Sequence, residues 1–134
     1  MIIIRIWHKD LISKLPREQL VAQWRECSAI AGAIIKNGTP NHLLVNYVLD
    51  YPLDMFISYS EIVRAEMTKR SYRTMENVME KIKSLKPDYN KCSLEEIYPE
   101  IHNQEYYNIC WWNLREKYIR GGISNEDAIR LGLE

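Results

Sequence analysis

Arg25 and Glu26 stand side by side in a stretch whose apolar residues, Leu20, Trp24, Cys27, Ala31 and Ile34, recur at intervals of four and three. That interval is the repeat of a helix with one buried stripe. At 100° per residue Glu26 falls about 160° from Trp24 at the centre of the stripe. Its neighbours on that face are Ala22, Ala29 and Ala33. A carboxylate on a floor of alanines leaves room for a large molecule to approach. It could then serve as a catalytic carboxylate at the base of a DNA-binding cleft. The same spacing also describes a small-residue face packed on another helix, with Glu26 in an ordinary ion pair. Two further groups have residue types suited to nucleic acid. Lys69, Arg70 and Arg73 surround Tyr72 and could hold a phosphate backbone, or could complement a helix dipole at its C-terminus. Trp112 lies 100° away from the stripe that contains Trp111 and could stack on a base, or could pack half-buried.

The elements that must position these residues can be read from their boundaries. Pro16 is suited to the first turn of a helix, and Gly38 in Asn37-Gly38 to a left-handed cap, which predicts a helix over 16–36. Residues 2–7 are apolar and β-branched and read as an extended arm against the body. Thr39-Pro40 opens a short second helix through about Leu49, and Tyr51-Pro52 separates it from a third over roughly 53–69. There Ile57, Ile62 and Met67 supply apolar bulk and Lys69-Arg70 close the last turn. A fourth helix is predicted over about 73–84, with Met75, Val78, Met79 and Ile82 on one side, before the break at Lys86-Pro87-Asp88. Residues 88–101 read as irregular and acidic, with one turn at 94–97. A fifth helix over 102–119 carries Tyr107, Trp111, Leu114 and Tyr118 on one stripe; Gly121-Gly122 stops it, and Ser124 can cap a last turn. The prediction is an all-α fold: an irregular single-domain helical bundle of about five helices with an extended N-terminal arm. Trp24 and Trp111 are expected to pack the first and fifth helices together.

Composition narrows the functional class. A chain of 134 residues reads as one domain over 1–134, long enough to bury a core without disulfide or metal staples. No run approaches the eighteen or so apolar residues of a membrane helix. Met1-Ile2-Ile3-Ile4 is too short for a signal peptide and Arg5 interrupts it, so a cytoplasmic protein with no membrane partner is expected. Cys27, Cys92 and Cys110 are an odd count without a close pair, and His8, His42 and His102 are scattered. No ligand spacing points to a metal, and no cofactor is implied. The net charge of zero argues against a protein coated by nucleic acid overall, but the charge is segregated. Residues 1–36 carry six basic and three acidic groups, and residues 60–91 carry eight and five. Such segregation can build a local phosphate-binding face, and it equally describes solvated helix faces.

The stretch Leu20-Val21-Ala22-Gln23-Trp24-Arg25-Glu26 resembles a helix of the pyrimidine dimer DNA glycosylase (phage endonuclease V) family. In that helix an aromatic residue and then Arg-Glu follow a leucine-containing turn. Arg5-Ile6 resembles the Arg-Ile just after that family's N-terminal nucleophile. Ala65-Glu66-Met67-Thr68-Lys69-Arg70-Ser71-Tyr72 resembles its Glu-x-Leu-Lys-Arg-Gly-aromatic helix end, and Asn113-Leu114-Arg115-Glu116-Lys117-Tyr118 its late Arg-Leu-x-Glu-Lys segment. Trp7-His8-Lys9-Asp10-Leu11-Ile12, Gln23-Trp24-Arg25-Glu26-Cys27 and Gly38-Thr39-Pro40-Asn41-His42 look typical of a small prokaryotic branch grouped with the family. The resemblance implies a glycosylase coupled to a lyase that acts on pyrimidine dimers in double-stranded DNA. An N-terminal amine would attack C1′ and form an imine, and Glu26 would supply the essential carboxylate. A damaged base pair would lower the cost of flipping a base. Arg5, Arg25, Glu26 and Lys117 are expected to converge on one open cleft.

Three positions depart from the family pattern. The residue before Arg5 is Ile4, whose amide cannot act as the amine, and Met1 precedes a bulky Ile2. The candidate amines are therefore that of Met1, folding back toward Glu26, and the ε-amine of Lys9, which would need a depressed pKa. Two basic positions of the family are Ala29 and Asn113 here, which thins the phosphate clamp. The alternative is a non-enzymatic DNA- or protein-binding module that kept the fold and lost the nucleophile.

Overall fold

A computed structural model describes residues 4–40 and 47–133. The arm enters through Ile6 and Trp7, both buried, and turns into a 3-10 helix over Lys9–Lys14. His8 caps that helix, its Nδ1 accepting the Asp10 N–H at 3.0 Å. Leu11, Ile12 and Leu15 fill the core beneath it.

Helix α1 spans Arg17–Asn37 and follows Pro16; it ends at Gly38, whose φ of 80° lets its N–H reach the Ile34 carbonyl at 2.8 Å. Leu20, Trp24, Cys27 and Ala31 are buried as the periodicity predicts. Helix α2 spans Leu53–Lys69 after Pro52, and α3 spans Glu76–Lys83. A 3-10 turn at Leu94–Glu96 precedes α4, Gln104–Ile119, and α5 covers Asn125–Leu131. Asn103 and Ser124 cap α4 and α5 through the N–H groups of Tyr106 and Asp127. The fold is all-helical, and the described residues contain no strand. No helix among them is long and apolar enough to cross a membrane.

Several expectations are corrected. Helix α1 packs mainly against α2 and α3, not against α4. Trp111 instead donates its indole N–H to the Leu131 carbonyl at 3.0 Å and so ties α4 to the C-terminal segment. On α4 the buried pair is Cys110 and Leu114, while Tyr107, Trp111 and Tyr118 are half-buried. Helix α3 starts three residues later than predicted, and Met75 is exposed. Most of the predicted second helix lies outside the described residues; its end, residues 47–49, is a single 3-10 turn. All three cysteines are unpaired, and burial pushes the Cys27 thiol up to about 12, as suits an inert core residue.

Candidate functional site

Gln23 organises the region around Glu26. It sits on the buried side of α1, just before Trp24, where a lone amide would be costly unless its hydrogen bonds were made. They are made by the N-terminal arm. Oε1 accepts the Trp7 N–H at 2.8 Å and lies 3.0 Å from the Tyr59 hydroxyl, and Nε2 donates to the Arg5 carbonyl at 3.2 Å. The Tyr59 hydroxyl also lies 2.6 Å from the Trp7 carbonyl, and the Tyr106 hydroxyl donates to the Ile6 carbonyl. Side chains from α1, α2 and α4 thus fix the backbone of residues 5–7.

Glu26 is three residues beyond Gln23, within one turn of α1. With the arm fixed, Arg5 Nη1 comes to 3.6 Å from Glu26 Oε2. The two side chains retain 34% and 23% of their exposure, so the pair stands open to solvent. At that separation and exposure it is a loose ion pair worth about 0–1 kcal/mol. Glu26 is thus held near a cation without being locked to it. Among the described residues, Arg5 Nε is buried without a hydrogen-bond partner.

The other predicted residues fall in different places. Arg25 is exposed beside Glu26, in a cleft of about 490 Å³ that it lines with Arg17, Glu18 and Val21. Lys9 is buried with its ammonium 2.6 Å from the Ile97 carbonyl and 3.3 Å from that of Glu95, while its backbone N–H donates to His102 Nδ1. Burial also lowers its pKa. Arg70 is a strut: Nε binds Glu66 at 2.7 Å, and the two Nη atoms reach the Leu15 and Ser13 carbonyls. Lys69 is exposed and shares a groove with Lys9, Asp10 and Glu66. Arg73 is exposed. Trp112 is 62% exposed, but Glu105 and Glu116 line the same groove, which is poor company for a phosphate. Lys117 is half-buried on α4. Met1 lies outside the described residues. Arg5 and Glu26 are therefore paired, Arg25 precedes Glu26 on α1 and lines a cleft with other residues, and Lys9, Arg70 and Trp112 face other surroundings.

Sequence reasoning missed Gln23, Tyr59 and Tyr106, the residues that fix the arm. The available signal was Gln23 itself, a polar residue beside Trp24 on the buried side of an amphipathic helix. It also missed a buried aromatic cluster. The His8 and His102 rings lie 5.1 Å apart, with Tyr106, Tyr107, Tyr59 and Tyr98 packed around them.

The family described as pyrimidine dimer DNA glycosylase matches the chain over residues 4–80. That span holds the fixed arm, the Arg5–Glu26 pair, all of α1 and α2 and the start of α3. No curated protein and no solved structure matches the chain.

Proposed function

Because the chain belongs to the pyrimidine dimer DNA glycosylase family, we propose that it is a DNA-repair glycosylase and AP lyase acting on pyrimidine dimers in duplex DNA. An amine attacks C1′ of the damaged nucleotide, the glycosidic bond breaks, and the base leaves with its bonding electrons. Opening of the sugar ring gives an imine between amine and C1′, an electron sink that makes the C2′ proton removable. Loss of that proton expels the 3′ phosphate and cuts the strand. Glu26 steadies positive charge on the sugar and carries protons during ring opening and elimination.

The single observation that carries this reading is the Arg5–Glu26 pair beside an arm fixed by Gln23. It holds Arg5, the fourth residue after Met1, beside the carboxylate. The amine assigned is the chain's α-amine, that of Met1 in this sequence. The ε-amine of Lys9 is the weaker candidate, because it would have to leave two carbonyls before it could attack. A second reading, a DNA- or protein-binding module without chemistry, draws on Ile4, an internal residue where the family carries its amine.

Borohydride trapping separates the readings, since it reduces an imine to a stable amine. A covalent adduct is expected with ultraviolet-irradiated duplex DNA and much less with undamaged duplex. Glu26→Gln, which keeps size and loses charge, should cut strand cleavage by about 10²–10⁴-fold while leaving DNA binding in place. Mapping the adduct to Lys9 would reassign the nucleophile. Binding to irradiated DNA with no adduct would support the second reading.

A further inference from the structure

Five of the nine arginines are held in ion pairs: Arg5 with Glu26, Arg64 with Glu76, Arg70 with Glu66, Arg120 with Glu116 and Arg130 with Asp127. Among the described residues Arg17, Arg25, Arg73 and Arg115 have no such carboxylate. In a chain of zero net charge, unpaired guanidinium groups mark where the surface can still attract an anion. Two of these four sit at one place. Arg17 and Arg25 line the cleft on α1.

The cleft is also built to hold its cations in place. The Arg17 guanidinium lies over the Tyr72 ring, 5.2 Å from its centroid, so the ring orients its plane without using its N–H donors. Tyr72 is brought there by a tight turn: Ser71 adopts a φ of 65°, and the Tyr72 N–H bonds to the Met67 carbonyl at 2.8 Å. Arg17 and Arg25 are eight residues apart, about 12 Å along the helix axis, too far to grip one phosphate together. Each must take its own, as an extended polyanion allows. Arg25 adjoins Glu26, so a strand laid along this line leads to the open carboxylate.

We infer that the α1 cleft bracketed by Arg17 and Arg25, with Arg17 seated on Tyr72, docks two phosphates of a duplex DNA backbone beside Glu26. The inference rests on DNA being the substrate. Glu18 lines the same cleft and opposes the phosphates.

The test is the salt dependence of binding to a lesion-free duplex, followed by fluorescence anisotropy. Arg17→Gln and Arg25→Gln should each lower the slope of log K against log salt by about 0.9, and the double variant by about twice that. Arg17→Lys should keep the slope and lose affinity, because charge remains and the stacked plane does not. Glu18→Gln should bind more tightly, and Arg120→Gln, from an ion pair on α4, should match the wild type. Circular dichroism verifies that each variant is folded, and Arg17→Lys serves if Arg17→Gln is not. Wild-type slopes in Arg17→Gln and Arg25→Gln would overturn the docking site and leave the proposed activity standing. So would a borohydride adduct on irradiated DNA without affinity for lesion-free duplex. Neither binding nor adduct would overturn both.

Discussion

At the scale of the residue, the question is why a glutamine is buried where a leucine would satisfy the hydrophobic stripe. Gln23 is 1% exposed and meets three groups of the arm and α2, the Trp7 N–H, the Arg5 carbonyl and the Tyr59 hydroxyl. Replacing it with Leu keeps the volume and leaves the Trp7 N–H and the Arg5 carbonyl unpaired. Each buried orphan costs about 1–3 kcal/mol, so Gln23→Leu should lose about 3 kcal/mol in urea unfolding. It should also raise the hydrogen-exchange rate of the Trp7 amide more than that of amides in α3. If the proposed chemistry holds, the adduct yield should fall as well, because Arg5 is no longer held against Glu26. A stability loss confined to a few tenths of a kcal/mol would mean that the arm is held by its apolar contacts instead. The carboxylate itself was legible from the helical wheel, since a residue opposite the buried stripe must face outward. Its partner was not, because nothing in the spacing of the arm registers Arg5 against Glu26; the register comes from a side-chain amide reading a backbone.

At the scale of the element, helix ends explain both what the sequence reveals and one stored strain. Gly38, Gly121 and Gly132 take left-handed conformations after α1, α4 and α5, with φ of 80°, 82° and 69°. Helix α2 makes the same kind of exit on Ser71, with φ 65°, where a Cβ costs about 1–2 kcal/mol. Ser71→Gly removes that cost and gives back part of it as unfolded-chain entropy. The net gain should be about 0.5–1 kcal/mol, seen as a melting temperature about 2–4 °C higher. An unchanged or lower melting temperature would mean that the Ser71 side chain contributes more than its strain removes. Where Pro opens a periodic segment, as at α1 and α2, the boundaries follow from sequence to within a residue. The face of α4 does not, because that helix is apolar around its girth: Trp112 and Ile119 are exposed while Cys110 and Leu114 are buried. The 3-10 helix over Lys9–Lys14 escapes prediction because six residues are too few for a period, and because Lys9 reads as a surface residue until its two carbonyl partners are seen.

At the scale of the whole molecule, the buried imidazoles tie stability to pH. His8 and His102 are 2% and 5% exposed, and each uses Nδ1 as an acceptor, for the N–H of Asp10 and of Lys9. Both are therefore neutral in the folded chain. Burial, with smaller contributions from His8 and Lys9, pushes His102 down from 6.5 to about 3. Burial also lowers His8, against the pull of Asp10 toward the charged form. Both folded values lie below the unfolded one, so the unfolded chain binds more protons as pH falls below 6.5. The stability is complete above pH 6.5 and declines as pH falls below it, for His102 toward pH 3 at up to about 1.4 kcal/mol per pH unit, with His8 adding to the decline. Carboxylates held by partners act later. Asp54, hydrogen-bonded by Lys86 and the Asn90 N–H, and Glu76, hydrogen-bonded by Arg64, have lowered values and lose their contribution only below the ordinary 3.8 and 4.5. The interval from pH 6.5 to 4.5 thus isolates the histidines. His102→Gln retains an acceptor for the Lys9 N–H and cannot titrate, so its urea-unfolding free energy should fall less steeply than the wild type's across that interval. Parallel profiles for the two proteins would show that His102 is protonated in the folded state at ordinary pH, and that the core around the two rings is wetter than its packing indicates.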